Sequence, residues 1–244
     1  MIQITNVETF GWESAIRGMR NPKNSWDMSD SYFHEDVDSS GYTYRQMDKV
    51  DGVTSPWMTL GDSDLKLMKS LSKAGSDHGK YLRMINVTMD INAPLYWWKE
   101  FDTYKVGTVA NSCSTMHKIH AKEFTLDDFS HEHLDSNRKF ELARNNTEAM
   151  GCCVTPKSLL EVTCSILNQY REAFVKTKNK GFWWQMIQLL PSSYNQLRTV
   201  QLNYQVLKNM YRSRKNHKLD EWRDFCDRIK TLPYSELITG EESE

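Results

Sequence analysis

The stretch NYQVLKNMYRSRKNH, residues 203–217, carries the main signal for the fold. Its apolar residues recur as on an amphipathic helix, yet Asn203, Asn209 and Arg214 stand among them. A helix turns by ~100° per residue, so Asn203 and Arg214 fall within ~20° of each other and about 16 Å apart along the axis. We therefore predict a long helix over residues 192–214 that presents a polar face as long as a bound nucleotide.

The flanking sequence predicts few strands and several long helices. YLRMINVTMDI, residues 81–91, alternates apolar and polar side chains and is typical of a half-buried strand. Pro94 and Pro156 stand at the first positions of predicted helices, and TLDDFSHEHL and residues 217–231 also have helical patterns. We predict an α/β fold with a central, mostly antiparallel sheet flanked by long helices.

Length, composition and charge restrict the class of protein. The 244 residues, 39% of them hydrophobic, suffice for one domain over residues 1–244, with the acidic end of residues 235–244 as a flexible tail. Lys and Arg total 31 against 32 Asp and Glu, which argues against binding to large nucleic acids. The sequence shows no signal peptide and no stretch of ~20 apolar residues, so we expect a cytoplasmic protein with no membrane span.

Several common catalytic and binding signatures are absent from the sequence. It has no GxxxxGK[ST] phosphate loop, no GxGxxG, no HExxH and no GxSxG. The five cysteines lack zinc-type spacing, and adjacent Cys152 and Cys153 are expected to be buried small residues, so no metal site is predicted. What remains are three polar segments: the turn with His78, the loop of residues 105–117 and the segment of residues 203–217.

The order and spacing of these segments resemble the flavin-dependent thymidylate synthases. Leu190-Pro191, Asn203, Asn209, Arg214 and HKLDEWR (217–223) follow the C-terminal pattern of that family without a gap, and His78 and Pro94 match its middle segment. The resemblance implies an α/β unit, a homotetramer, and methylation of the uracil ring of dUMP with FAD, NADPH and methylenetetrahydrofolate.

The same resemblance assigns roles to individual residues. Asn203, Asn209 and His78 would contact FAD, and Arg214 would polarise the pyrimidine base. Besides Arg214, the substrate contacts fall on the loop, at Lys105, Asn111, Ser112 and Ser114. The residues expected to be catalytic are Arg214, His78 and Ser114. A guanidinium suits this role because it can hold a carbonyl oxygen and stabilise negative charge that develops on the ring.

The chain lacks several cationic residues of the family signature. The family signature RHRxxSxNExSxRY corresponds here to TYKVGTVANSCSTMH, in which Asn111 and Ser114 match but Ser112 replaces the Glu. The Arg-His-Arg triplet is missing, and each lost contact to a nucleotide phosphate would cost ~1.5–3 kcal/mol. The candidates to replace these contacts are Lys105, His117, Lys118 and His120, while Arg17 and Arg20 in an earlier segment are spare cations.

Three interpretations of the function remain open at this point. The first is an FAD-dependent enzyme that transfers a one-carbon unit to dUMP or a related pyrimidine deoxynucleotide. The second is a catalytically degenerate homologue that binds a nucleotide or a protein partner as a sensor or interaction module. The third is a helical scaffold without a small ligand.

Overall fold

The computed structural model describes residues 2–142 and 152–240 of the chain. Their contacts form two compact units. The larger unit consists of residues 2–92, 99–111 and 197–240. The smaller unit consists of residues 93–98, 112–142 and 152–196.

The elements of the described residues follow in chain order. The strands are β1 (Gln3–Phe10), β2 (Tyr32–Phe33), β3 (Glu35–Val37), β4 (Thr43–Arg45), β5 (Met47–Val50), β6 (Val53–Pro56), β7 (Met58–Thr59), β8 (Asn86–Pro94), β9 (Val109–Ser112), β10 (Phe140–Leu142), β11 (Cys152–Val154) and β12 (Asn195–Asn203). The helices are α1 (Trp12–Arg20), α2 (Asp62–Lys73), α3 (Leu95–Phe101), α4 (Thr115–Lys118), α5 (Pro156–Thr177), α6 (Lys180–Leu189), α7 (Tyr204–Arg214), α8 (Asp220–Lys230) and α9 (Glu236–Thr239). Four short 3-10 helices cover Asn21–Lys23, Trp26–Met28, Lys80–Arg83 and Leu126–Asp128.

A six-stranded sheet forms the centre of the fold, in the order β5-β6-β1-β8-β12-β9. Strand β1 pairs antiparallel with β8 and parallel with β6, and β6 pairs antiparallel with β5. Apart from end residues of β8, β9 and β12, the sheet belongs to the larger unit. The predicted α/β class with a central sheet and helices is confirmed.

Strand β8 shows the alternation that its sequence predicts. Val87, Met89 and Ile91 are buried, while Asn86, Thr88 and Asp90 between them are half-buried. The predicted start at residue 81 is wrong, because residues 80–83 form a 3-10 helix in which the buried Tyr81 hydroxyl donates to the Met68 carbonyl (2.8 Å). The strand therefore begins at Asn86.

The predicted long helix over residues 192–214 is also wrong in its first half. Residues 195–203 form β12, which lies between β8 and β9, and the helix α7 begins only at Tyr204. Val200 and Leu202 are buried on one side of this strand. Residues 195–203 are a strand because they pair with neighbouring strands of the sheet. A local sequence pattern does not contain the information about this pairing. Similarly, TLDDFSHEHL contains a 3-10 helix at Leu126–Asp128 rather than a longer helix.

A buried ion pair joins α1 to α2 in the larger unit. The Arg20 Nε atom lies 2.6 Å from Asp64 Oδ1, and both side chains are almost fully buried. Burial opposes the ionisation of Asp64, but hydrogen bonds from Ser31, Ser29 and Arg20 hold its pKa below the usual value. The pair therefore stabilises the fold, and the polar atoms of both side chains have hydrogen-bond partners within the chain.

A carboxylate from a separate loop caps helix α2. Asp30 accepts hydrogen bonds from the backbone N–H groups of Ser63 (2.8 Å) and Asp64 (3.0 Å) in the first turn. Gly61 permits this approach, because a Cβ at that position would overlap the Asp30 side chain. The loop of residues 21–31 is therefore fixed to α2 at several points.

The smaller unit packs around α5, which Pro156 opens as predicted, with Thr155 as its N-cap. Its buried core consists of Ile119, Phe124, Phe129, Leu160, Cys164, Leu167 and Met186. Cys153 is exposed, contrary to the prediction, because it lies in the two-stranded β10–β11 sheet; the side chain of Cys152 lies outside the described residues.

The C-terminal segment of the larger unit is packed as far as residue 239. Leu237 and Ile238 of α9 are buried within the range predicted as a flexible tail, and residues 241–244 lie outside the described residues. No described helix combines the length and apolarity that crossing a membrane requires. Within residues 2–142 and 152–240, no group of three or more His, Cys, Asp or Glu side chains could hold a metal ion.

Candidate functional site

The loop after α3 runs alongside α7 in the larger unit. Tyr104 contacts Arg214 at the C-terminal end of α7, and Gly107 lies against Asn203 at the N-terminal end. Gly107 has φ +76°, and a Cβ there would lie 2.9 Å from Asn203 Nδ2 and 3.2 Å from Val206 Cγ2. Glycine therefore allows the close approach, and the loop and the helix predicted from sequence lie side by side.

Arg214 is the centre of a polar cluster at the end of α7. Its Nη1 atom donates to Glu100 Oε2 at 2.6 Å, and its Nε atom donates to the Tyr104 hydroxyl at 3.0 Å. The same Glu100 oxygen accepts a hydrogen bond from Trp222 Nε1 (3.0 Å) and lies 3.5 Å from His217 Nε2. The contacts fix the orientation of the guanidinium.

Aromatic rings complete the surroundings of Arg214. Its Cζ atom lies 4.7 Å from the ring centroid of Trp222 and 5.6 Å from that of Tyr104, within the range of cation–π interaction. The side chain of Arg214 remains 19% exposed and that of Glu100 34% exposed. The Nη2 amino group makes no hydrogen bond with the residues that the structure describes. Arg214 is thus held in place with one donor group open to a ligand.

Asn203 has a local structural task. As the last residue of β12 and N-cap of α7, it accepts a hydrogen bond from the Val206 backbone N–H at 3.0 Å. Asn209 is exposed on α7, and its side-chain oxygen accepts a hydrogen bond from Gln205 Nε2 at 3.1 Å. The two amides therefore lie at different places on α7, and Asn209 is the more accessible one.

His78 lies in the turn between α2 and the 3-10 helix of residues 80–83. Its side chain is exposed, and its backbone N–H donates to the Gly75 carbonyl at 3.2 Å. The end of α2 is joined to α7 by Lys208 Nζ, which donates to the Ser72 carbonyl at 2.7 Å. No contact of the His78 side chain with the Arg214 cluster is found among the described residues, so convergence of the two stays a prediction.

The loop residues of the predicted site fall on two elements. Asn111 and Ser112 are exposed in the edge strand β9, which replaces part of the predicted loop. Ser114 is the N-cap of α4, where its hydroxyl accepts a hydrogen bond from the His117 backbone N–H at 3.1 Å. Lys105 is exposed and makes no hydrogen bond or ion pair with described residues. The substrate roles of these four residues stay predictions.

The structure adds polar groups that the sequence interpretation missed. Glu100, Tyr104 and Trp222 surround Arg214, and the Thr108 hydroxyl is buried without a hydrogen-bond partner among the described residues. Glu100 and Tyr104 stand four residues apart, at a spacing that places side chains on one face of a helical turn. This spacing is the sequence feature from which a pairing of Glu100 with Tyr104 could be predicted. For Trp222 the sequence offers no such feature beyond its position in HKLDEWR.

Of the two arginines on α1 that were predicted to be unpaired, the structure leaves only Arg17 without an ion pair among the described residues. Arg20 was predicted to be spare, but it is buried and paired with Asp64, as described above. Arg17 makes no hydrogen bond or ion pair with the described residues and lines a cavity of about 250 Å³ between α1 and the following loops. The prediction is therefore wrong for Arg20.

Comparison with known proteins adds information on the fold. No family model matches the chain, and no curated protein does. Two solved structures of the flavin-dependent thymidylate synthase ThyX from Helicobacter pylori, each with FAD and dUMP, superpose with TM-scores of 0.61 at 14% identity. The match covers 98% and 99% of this chain and 98% of each of those chains.

A third solved structure is similar over almost the same range. It is the UMP/dUMP methylase PolB from Streptomyces cacaoi, bound with 5-Br dUMP, at a TM-score of 0.55 and 13% identity. The match covers 98% of this chain and 94% of that chain. At these identities the likeness shows that the chain shares the fold of these proteins.

Proposed function

We propose that the protein binds a pyrimidine deoxynucleotide of the dUMP class and transfers a one-carbon unit to its uracil ring in a flavin-dependent reaction. The observation that carries this proposal is the fold, shared over 98% of both chains with a thymidylate synthase that binds FAD and dUMP. The methylase PolB, which has a similar fold, also holds a dUMP analogue. Two pyrimidine-nucleotide enzymes thus use this architecture.

Arg214 supplies the chemistry that the base requires. Its open Nη2 group can donate to a uracil carbonyl oxygen, and its positive charge stabilises electron density that moves onto that oxygen. Glu100 and Tyr104 hold the other two nitrogen atoms, so the guanidinium needs little reorganisation when a ligand arrives. In the proposal, Arg214 therefore orients and polarises the base.

Three donors of the larger unit, on α7, in the loop after α3 and in the turn after α2, are chemically suited to a flavin. The Asn209 amide is exposed, the Thr108 hydroxyl is an unsatisfied buried group, and His78 presents an exposed imidazole. Amides and hydroxyls match the donor and acceptor edge of an isoalloxazine ring. FAD, when bound, supplies the redox chemistry, while these residues hold and orient the ligands. Folate as the carbon donor, NADPH as the reductant and a homotetrameric assembly belong to the proposal through the sequence resemblance.

The alternative function is nucleotide binding without turnover. It is favoured by the Glu100 carboxylate, which neutralises Arg214, and by the missing Arg-His-Arg triplet. In the larger unit, Lys105 and Asn111 are exposed groups that can contact a phosphate or a ribose. A protein with these groups alone would hold the nucleotide more weakly than one with three further cations.

Two measurements on the purified protein test the proposal. The first is absorbance in the flavin band near 450 nm after denaturation, which reports FAD that co-purified. The second is the thermal shift with dUMP, UMP and deoxyuridine. Flavin together with a dUMP-dependent shift supports the enzyme, and methylated product from dUMP in the presence of methylenetetrahydrofolate and NADPH establishes it. A shift without flavin or product supports the alternative, and neither flavin nor a shift contradicts both.

A further inference from the structure

A groove runs along helix α2 on the larger unit, and the proposed function does not use it. It consists of two adjoining cavities of about 770 and 470 Å³, which share Asp62, Lys66 and Ser70. We call it the α2 groove. Its lining includes Lys23, Met28, Asp62, Lys66, Leu67 and Lys73.

The walls of the α2 groove are fixed by the buried network between α1 and α2. Arg20 donates from Nη1 to the Ser25 carbonyl (3.1 Å) and from Nη2 to the Ser63 hydroxyl (3.0 Å), while its Nε atom pairs with Asp64. Asp30, in the same loop as Lys23 and Met28, accepts hydrogen bonds from the first turn of α2 and so fixes this loop to the helix. The cavity is therefore preformed, so a ligand need not order a loop when it binds.

The lining carries an excess of positive charge. Lys69 is paired with Glu236 at 3.6 Å, whereas Lys23, Lys66 and Lys73 make no ion pair or hydrogen bond with described residues. Among the described lining residues, Asp62 is the one carboxylate, and it lines both cavities. The chain as a whole has a net charge of −1, so this excess is a local feature. A concave surface of one sign concentrates ligands of the opposite sign.

The larger cavity combines these cations with apolar surface. Met28 is 60% exposed, and Leu67 is half-buried on the groove side of α2. The Ser70 hydroxyl, which lines both cavities, has no hydrogen-bond partner among the described side chains. Ammonium and hydroxyl donors beside apolar side chains suit a ligand with an anionic head and an apolar body.

We propose that the α2 groove binds a small phosphate ester. Lys66, which lines both cavities, contacts the phosphate together with Lys23 or Lys73, and Met28 and Leu67 contact the apolar part of the ester. A phosphate carries nearly two negative charges at neutral pH and accepts several hydrogen bonds at once. A phosphate ligand therefore matches three unpaired lysines better than a ligand with one carboxylate group does. The groove contains none of the residues around Arg214, so this proposal is independent of the proposed function.

Isothermal titration with phenyl phosphate as the probe tests the proposal on the full chain. Inorganic phosphate and phenol serve as comparison probes, because the first has only the anionic group and the second only the aromatic ring. We expect millimolar or tighter binding of phenyl phosphate, weaker binding of phosphate and none of phenol. Lys66→Gln should weaken phenyl phosphate binding by about tenfold, since it removes one charge-assisted contact. Leu67→Ala should weaken phenyl phosphate but leave inorganic phosphate unchanged.

Two control variants locate the binding site. Lys49→Gln removes an exposed lysine on β5, outside the groove, and should leave the titration unchanged. Arg214→Ala tests whether the probe binds at the proposed nucleotide site instead. The proposal is overturned if phenyl phosphate does not bind at millimolar concentration, if Lys49→Gln weakens it as much as Lys66→Gln, or if only Arg214→Ala abolishes binding.

Discussion

Two arginine–carboxylate pairs in the larger unit have the same contact distance and very different surroundings. Arg20 and Asp64 lie 2.6 Å apart with side chains 3% and 0% exposed, and Arg214 and Glu100 also lie 2.6 Å apart but are 19% and 34% exposed. The distance alone does not distinguish a pair whose donors are all used within the fold from one that leaves a donor open. Burial and the number of open donors do.

The Arg20 pair is saturated by its own chain. All three guanidinium nitrogens have partners, and Asp64 accepts from two serine hydroxyls besides Arg20. At Arg214 two nitrogens are held and the third is open, so the same chemistry leaves capacity for a ligand. A buried pair costs much when broken, whereas a partly exposed one costs little.

The largest effect is expected on breaking the buried pair. Arg20→Met leaves the Asp64 carboxylate buried without its counterion, which should lower the free energy of unfolding by ~3–5 kcal/mol. Chemical denaturation measures this loss. The matched control is Arg45→Met, because Arg45 pairs with Glu13 at 2.8 Å but is 39% exposed, and should lose ~1 kcal/mol or less. Equal losses in the two variants would refute the contrast.

At Arg214 the expected effect is on binding rather than on folding. Arg214→Ala should weaken dUMP binding by at least ~1.5–3 kcal/mol, since a charge-assisted contact to the base is removed, while the free energy of unfolding changes by less than in Arg20→Met. A dUMP titration followed by thermal shift measures it. Arg212→Ala, an exposed arginine on the same helix, is the control and should bind dUMP normally. An unchanged shift in Arg214→Ala would remove the assigned role.

The two pairs also show how far sequence alone can lead. The order and spacing of Asn203, Asn209 and Arg214, together with Leu190-Pro191, HKLDEWR, His78 and Pro94, predicted the fold by resemblance, and a solved structure at 14% identity shares that fold. The same segment gave the wrong conformation for residues 195–203, since the sheet partners that make β12 a strand come from β8 and β9.

Burial was the other property that the sequence did not reveal. Arg17 and Arg20 occur three residues apart on one helix, and only the position of Asp64 on α2 makes Arg20 structural. Glu100 was overlooked for the same reason: its role depends on α7 and α8, which are more than a hundred residues away in the chain. Contacts between distant segments decide which charged residue is free.

A smaller effect of the buried pair is expected in acid. Hydrogen bonds hold the pKa of Asp64 in the folded state below its unfolded value, which is about 3.9 for a free aspartate. The ionised carboxylate therefore stabilises the fold above that pH, and this contribution is lost as the pH falls through the folded pKa. Unfolding measured from pH 5 downward should lose stability more steeply in the wild type than in Asp64→Asn. Equal loss of unfolding free energy with falling pH in the wild type and Asp64→Asn would contradict this prediction. Asp227→Asn, at an exposed site, serves as the control.

The smallest effect on stability is expected at Glu100, where two variants separate the positioning of Arg214 from its charge. Glu100→Gln keeps an oxygen that accepts from Arg214 and Trp222 but removes the negative charge, so it should cost ~1 kcal/mol or less in stability. Glu100→Ala removes the acceptor as well. If Glu100 positions the guanidinium for the base, dUMP binding should be nearly normal in the glutamine variant and much weaker in the alanine variant. If the carboxylate instead neutralises Arg214 and blocks the nucleotide, both variants should bind dUMP more tightly than the wild type, which would favour a protein that has given up turnover.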